Sequence, residues 1–115
     1  MAMNEIYAQT EPSRADVDTL QGLILLEFGT PWCGHCRAAQ PLLVQVLDGR
    51  DDVRHLKIED GPRRPLGRSF RVKLWPTLIL LRQGEELARL VRPTNANDIQ
   101  QALDRATGNK GVDMA

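Results

Sequence analysis

The stretch Thr30-Pro31-Trp32-Cys33-Gly34-His35-Cys36 constrains this chain more than any other part of it. It holds the only two cysteines among 115 residues, three positions apart, shortly after the apolar run Leu23-Ile24-Leu25-Leu26-Glu27-Phe28. Residues i and i+3 share one face of a helix, so a helix starting near Cys33 brings both sulfurs to the same side. A single close pair after a strand-like run points to reversible thiol–disulfide exchange. Two other readings compete with it. Structural zinc takes four ligands, and beyond the pair only His35 and His55 remain, with His35 inside the loop itself. A purely structural disulfide would close so small a loop that it would constrain the unfolded chain little. Redox chemistry is the reading these residues favour.

The rest of the chain alternates between the two periodicities. Ile6-Tyr7-Ala8 reads as a short strand. Pro12 to Leu20 reads as a helix capped by Ser13, with Val17 and Leu20 as its apolar edge and Gly22 after it. Leu23 to Phe28 is nearly continuous in apolar character, as a strand buried on both faces requires. The next helix carries Cys36, Ala39, Leu43, Val46 and Leu47 inward, contains Pro41, and stops at Asp48-Gly49. Val53 to Ile58 is the next strand, with Leu56 and Ile58 on one face and Val53 and His55 on the other. A loop from Asp60 to Pro65 leads to a short helix, Leu66 to Phe70. Thr77 to Leu81 and Leu87 to Val91 form a hairpin about Gln83-Gly84. Asn95 or Asn97 caps a last helix with Ile99, Ala102, Leu103 and Ala106 as its buried stripe. A βαβ half followed by a ββα half predicts an α/β fold, a central mixed sheet with helices on both faces. The length suits one domain over 1–115, ordered from about 4 to 107, with 108–115 as a flexible tail.

Formal net charge is zero, which removes any bulk attraction to nucleic acid or membrane. Arg63, Arg64, Arg68, Arg71 and Lys73 do cluster, but with no aromatic platform beyond Phe70 they read as a solvated face. No apolar run is long enough to span a bilayer. Met1 to Thr10 lacks a basic start followed by an apolar core, so a cytoplasmic location is expected, with a periplasmic or secreted one open if a leader has been removed.

The chain resembles the thioredoxin family over nearly all its length. The resemblance rests on the strand ending in Glu27-Phe28, on Trp32-Cys33-Gly34-His35-Cys36, on Pro41, on Pro76-Thr77 forty residues past the pair, and on Gly84. The Cys-Gly-His-Cys variant is similar to that of protein disulfide isomerase domains. The resemblance implies a thioredoxin fold and a thiol–disulfide oxidoreductase that reduces protein disulfides. Cys33 would attack, where the positive end of the helix dipole favours a thiolate, and Cys36 would resolve the mixed disulfide. Glu27, the one charge in a buried strand, would take the proton of the resolving thiol, and an ionisable group in an apolar run suits that task. His35 would place positive charge near the thiolate and make the disulfide more oxidising. Trp32, Gly34, Trp75, Pro76 and Arg92 would form the surface that meets the substrate, with Pro76 as the family's cis-proline. Protein disulfides would be the substrates, an external reductase or small thiol the electron donor, and a monomer the working form. No flavin or dinucleotide fingerprint is present, so no cofactor is expected beyond the Cys33–Cys36 pair, and no metal.

Four departures from the family pattern bear on the site. Gly29 stands where an aromatic is usual, which predicts thinner packing there. Trp75 before Pro76 and Arg92-Pro93 on the same rim predict a narrowed substrate groove. His55 holds the position where thioredoxins often place lysine near the buried carboxylate, so His55 and Glu27 are expected to share a pocket. Two rival readings remain: an exported oxidase or isomerase, and a thioredoxin-like chaperone or binding module that uses the groove without turnover.

Overall fold

A computed structural model describes residues 3–108; the expected tail beyond Gly108 lies outside them. Eight elements follow in order: α1 (Arg14–Asp18), β1 (Leu23–Gly29), α2 (Gly34–Leu47), β2 (Arg54–Glu59), α3 (Pro65–Ser69), β3 (Thr77–Arg82), β4 (Glu85–Val91) and α4 (Ala96–Thr107). The sheet has the order β2-β1-β3-β4, with β1 parallel to β2 and antiparallel to β3. The mixed sheet predicted from the sequence is thus the one observed.

Strand β1 lies inside the sheet, and all seven of its residues are buried. That explains its lack of alternation, because both of its faces are covered by helices. Leu23 and Leu25 pack with Leu43, Val46 and Leu47 of α2 and Ile99 and Leu103 of α4. Ile24, Leu26 and Phe28 point the other way, against Val17, Leu66 and Phe70 of the α1 and α3 side. Period-2 alternation then puts Glu27 in the layer of Leu23 and Leu25, beneath α2.

The local signals act as expected at most boundaries. Ser13 Oγ accepts the Asp16 N–H at 3.0 Å and starts α1. Asn95, rather than Asn97, caps α4, its Oδ1 accepting the Asp98 N–H at 2.9 Å. Gln83 and Gly84 both take positive φ, 49° and 83°, the requirement of a two-residue hairpin turn whose twist matches the strands. Helix α2 runs through Pro41 to Leu47.

One predicted element is absent. Ile6-Tyr7-Ala8 forms no strand, so the sheet has four strands among the described residues, not five. The segment runs along β2, at the sheet edge, but only one bond of a ladder forms, from Ala8 N to Lys57 O at 2.9 Å. The Ile6 N–H turns instead to a side chain, meeting Asn4 Oδ1 at 3.2 Å. A strand needs a repeating ladder, and here local side-chain acceptors compete for the donors.

Candidate active site

Cys33 is the N-cap of α2, in extended conformation at φ −83° and ψ 123°. Its sulfur accepts the Cys36 N–H at 3.2 Å, the place a serine or aspartate oxygen usually fills. The first N–H groups of a helix have no partners inside it, and the helix dipole is positive there. Both effects reward negative charge on this sulfur. Cys36 lies one turn deeper, 1% exposed against 8% for Cys33. Both cysteines are free thiols.

Burial pushes the Cys36 thiol up to about 12; the hydrogen bond with Cys33 and the charges of Cys33 and Glu27 push the same way, while a backbone contact from Thr30 opposes them. Two of these causes belong to Cys33 in its free form. Bonding Cys33 to another sulfur would remove both of its contributions and make Cys36 easier to ionise. The shift also has a stability consequence. The thiol ionises near its ordinary 9.0 in the unfolded chain and only near 12 in the folded one, so this contribution is complete below pH 9 and is lost as pH rises toward 12. The reduced protein should therefore lose stability over that range, while the oxidised form, with no thiol to titrate, lacks this component. Denaturant titrations of both forms at stepped pH measure the difference, and parallel curves would contradict it.

Beneath Cys36 lies a buried polar cluster. Glu27 and His55 are both fully buried in their side chains, with His55 Nε2 2.9 Å from Glu27 Oε1. They come together because β1 and β2 are parallel neighbours, with Leu25 opposite His55 and Glu27 opposite Lys57, and all these odd-numbered positions except Leu25 bring polar atoms to the α2 side. Gln40 Nε2 donates to Glu27 Oε2 and to the Cys36 carbonyl, each at 2.8 Å. Lys57 Nζ donates to Gln40 Oε1 at 2.8 Å and stands 4.8 Å over the Tyr7 ring. The sequence did not single out Gln40, Lys57 or Tyr7. Gln40 lies one helical turn past Cys36 and Lys57 two residues past His55, so spacing could have found both; nothing local marked Tyr7.

Tyr7 also corrects the expectation of thin packing at Gly29. A Cβ on Gly29 would lie 2.5 Å from Cys36 Sγ and 3.4 Å from the Tyr7 hydroxyl. The space is filled by the Cys36 sulfur and by a tyrosine delivered from the N-terminal segment. Burial, with the Cys36 and Glu27 charges after it, raises the Tyr7 pKa, so its hydroxyl stays protonated. Tyr7, Cys36, Gln40, Lys57 and Thr30 line a cavity of about 240 Å³ on this side of the site.

On the outer side, the Trp75–Pro76 peptide is cis. The Trp75 carbonyl stands 3.9 Å from Cys33 Sγ and accepts Arg92 Nε at 2.8 Å. Arg92 is held there by its own N–H, which donates to Pro76 O at 2.9 Å. The Trp75 indole donates to Asp60 Oδ2 at 2.8 Å, and α3 passes close to that carboxylate only because residue 67 is glycine. Trp32, 68% exposed, meets Trp75 edge to face with ring centres 5.5 Å apart. Trp32, Trp75, Pro76 and Arg92 therefore lie together on the side of Cys33. His35 is exposed and lines a surface hollow with Arg92, Pro93 and Thr94, and Gly34 is exposed beside it. The described residues contain no cluster of metal-ligating side chains, and no helix among them is long and apolar enough to cross a membrane.

Comparison with known proteins agrees with this geometry. The family model described as Thioredoxin matches residues 6–105. The structure of thioredoxin 2 from Pseudomonas aeruginosa PAO1 is 52% identical, covers 93% of this chain and 99% of that one, and superposes with a TM-score of 0.83. A thioredoxin of Staphylococcus haemolyticus is 28% identical over 81% of this chain and 90% of its own. Thioredoxin H2-1 of Oryza sativa is 33% identical over 60% of this chain, a stretch that spans only 50% of that relative. Cys33 and Cys36 lie close together, consistent with a CxxC motif, and the chain belongs to the thioredoxin family, whose members are disulfide oxidoreductases.

Proposed function

We propose that the protein reduces disulfides in other proteins, with Cys33 as nucleophile, Cys36 as resolving thiol and Glu27 as proton acceptor. The observation that carries this reading is the placement of the pair within one helical turn: Cys33, 8% exposed, caps α2 and accepts the Cys36 N–H, while Cys36, 1% exposed, lies above a carboxylate. The Cys33 thiolate attacks one substrate sulfur, the substrate disulfide breaks, and its other sulfur leaves as a thiolate. Cys36 then attacks Cys33 Sγ, its proton passes to Glu27, and the second substrate sulfur leaves as the Cys33–Cys36 bond forms. Two electrons have moved to the substrate, and an external reductase or small thiol restores the dithiol. The pair itself is the redox group, so no cofactor or metal takes part.

Trp32, Gly34, Trp75 and Pro76 form the platform against which a substrate segment lies. Arg92 already donates to the Trp75 carbonyl, so a substrate backbone that uses that acceptor must share it with the guanidinium and fit beside it, and this narrows the substrate range. His35, at the solvent side of α2, adds positive charge to the same face when protonated. The domain acts over the whole chain as a monomer in the cytoplasm. Wild type should reduce insulin with a chemical thiol as donor, at many turnovers per protein, followed by the turbidity of the released chain. Absence of turnover by a folded protein would overturn the oxidoreductase assignment and favour a binding module.

A further inference from the structure

The N-terminal segment runs beside β2 without forming a strand, yet it makes a hydrogen bond inside the site. The Asn4 backbone N–H donates to His55 Nδ1 at 2.8 Å. A backbone N–H can only donate, so Nδ1 is the unprotonated nitrogen of that ring. The ring proton of neutral His55 then sits on Nε2, which donates to Glu27 Oε1 at 2.9 Å. Gln40 Nε2 donates to Glu27 Oε2, and Gln40 cannot turn its amide without setting its NH2 against Lys57 Nζ. Both oxygens of Glu27 thus face donors, an arrangement that suits a carboxylate and opposes a carboxylic acid.

We propose that Asn4 and His55 are positioning residues for disulfide exchange: the docked segment selects the Nε2–H tautomer of His55 and thereby keeps Glu27 a free proton acceptor for Cys36. This rests on the role of Glu27 proposed above. With the Asn4 N–H removed, His55 can carry its proton on Nδ1 and present an Nε2 lone pair to Glu27. That arrangement favours protonated Glu27, which has no capacity to take the Cys36 proton. The charged and titratable groups packed around the pair are Lys57 on β2, Cys36 on α2 and Tyr7 on the segment. Three further contacts dock the segment: Ala8 N to Lys57 O, the Tyr7 ring under Lys57 Nζ, and Met3 against the α2–α4 core.

Proline has no N–H, so Asn4→Pro deletes this donor, while Asn4→Ala keeps it; both variants lose the exposed Asn4 Oδ1 contact with the Ile6 N–H, so the difference between them isolates the donor. Nitrogen-15 NMR of His55 reads the tautomer directly, and rapid-mixing release of substrate from a preformed mixed disulfide reads the resolving step. Wild type and Asn4→Ala should show the Nε2–H form and equal release. Asn4→Pro should show an increased Nδ1–H population and release slowed about three- to tenfold, the weight of one hydrogen bond. An Nδ1–H ring in wild type would overturn the proposal without any variant, even were Asn4→Pro unable to fold. Identical tautomer and release in the proline and alanine variants would overturn it too. Insulin turnover by wild type is a separate reading, so a failure here is distinguishable from failure of the reductase assignment.

Discussion

Cys36→Ser is expected to accumulate mixed disulfides with the protein's natural substrates, and Cys33→Ser almost none. The first substitution leaves the nucleophile at the head of α2 with its cap contact to the residue 36 N–H, which is backbone and survives the change. What it removes is the sulfur that would attack Cys33, and a serine hydroxyl at that depth does not displace a thiolate from a disulfide. The covalent intermediate then persists. Cys33→Ser removes the attacking atom, and the buried Cys36, 1% exposed and held as a thiol, cannot substitute for it. Insulin reduction should fall in both variants to the background of the chemical thiol. Non-reducing electrophoresis followed by identification of the captured proteins gives the readout. Equal adduct levels in the two variants would mean that the roles of Cys33 and Cys36 are wrongly assigned.

Glu27→Gln should slow release from the mixed disulfide by about 10²-fold, the lower end of what a positioned proton acceptor contributes. Formation of the mixed disulfide should change little, since Cys33 needs no base once it is a thiolate. The substitution keeps the shape of the side chain but replaces an acceptor oxygen with an NH2 that must face either His55 Nε2 or Gln40 Nε2, both donors in the native arrangement. Some stability is therefore lost along with the base, and the two effects separate by experiment. Stability acts on both steps through the folded fraction, whereas loss of the base acts on release alone. Single-turnover measurement of each step decides it, and equal slowing of both would assign Glu27 a structural role only.

The amino-acid sequence alone determined the layers of this protein. Leu23 to Phe28 had to be a strand covered on both faces, because so continuous an apolar run has no solvent side to offer. Ser13 and Gln83-Gly84 marked the start of α1 and the β3–β4 turn, and Asn95 or Asn97 the start of α4, with the structure choosing Asn95, since caps and turns are decided by residues within a few positions of one another. The adjacency of Cys33 and Cys36 was legible for the same reason. The pairing of Glu27 with His55 could be expected once β1 and β2 were taken as neighbours. Only the tertiary structure decided what surrounds that pair. Gln40 and Lys57 complete the cluster because α2 crosses the parallel strands at the depth of Cys36. Tyr7 fills the space over Gly29, and Asn4 meets His55 across 51 positions of sequence, only because the N-terminal segment runs beside β2 without joining the sheet. Periodicity tells which face a side chain takes, but not which distant donor arrives there. That choice depends on register and on the path of irregular chain, where each contact is a single hydrogen bond set by the packing of everything else.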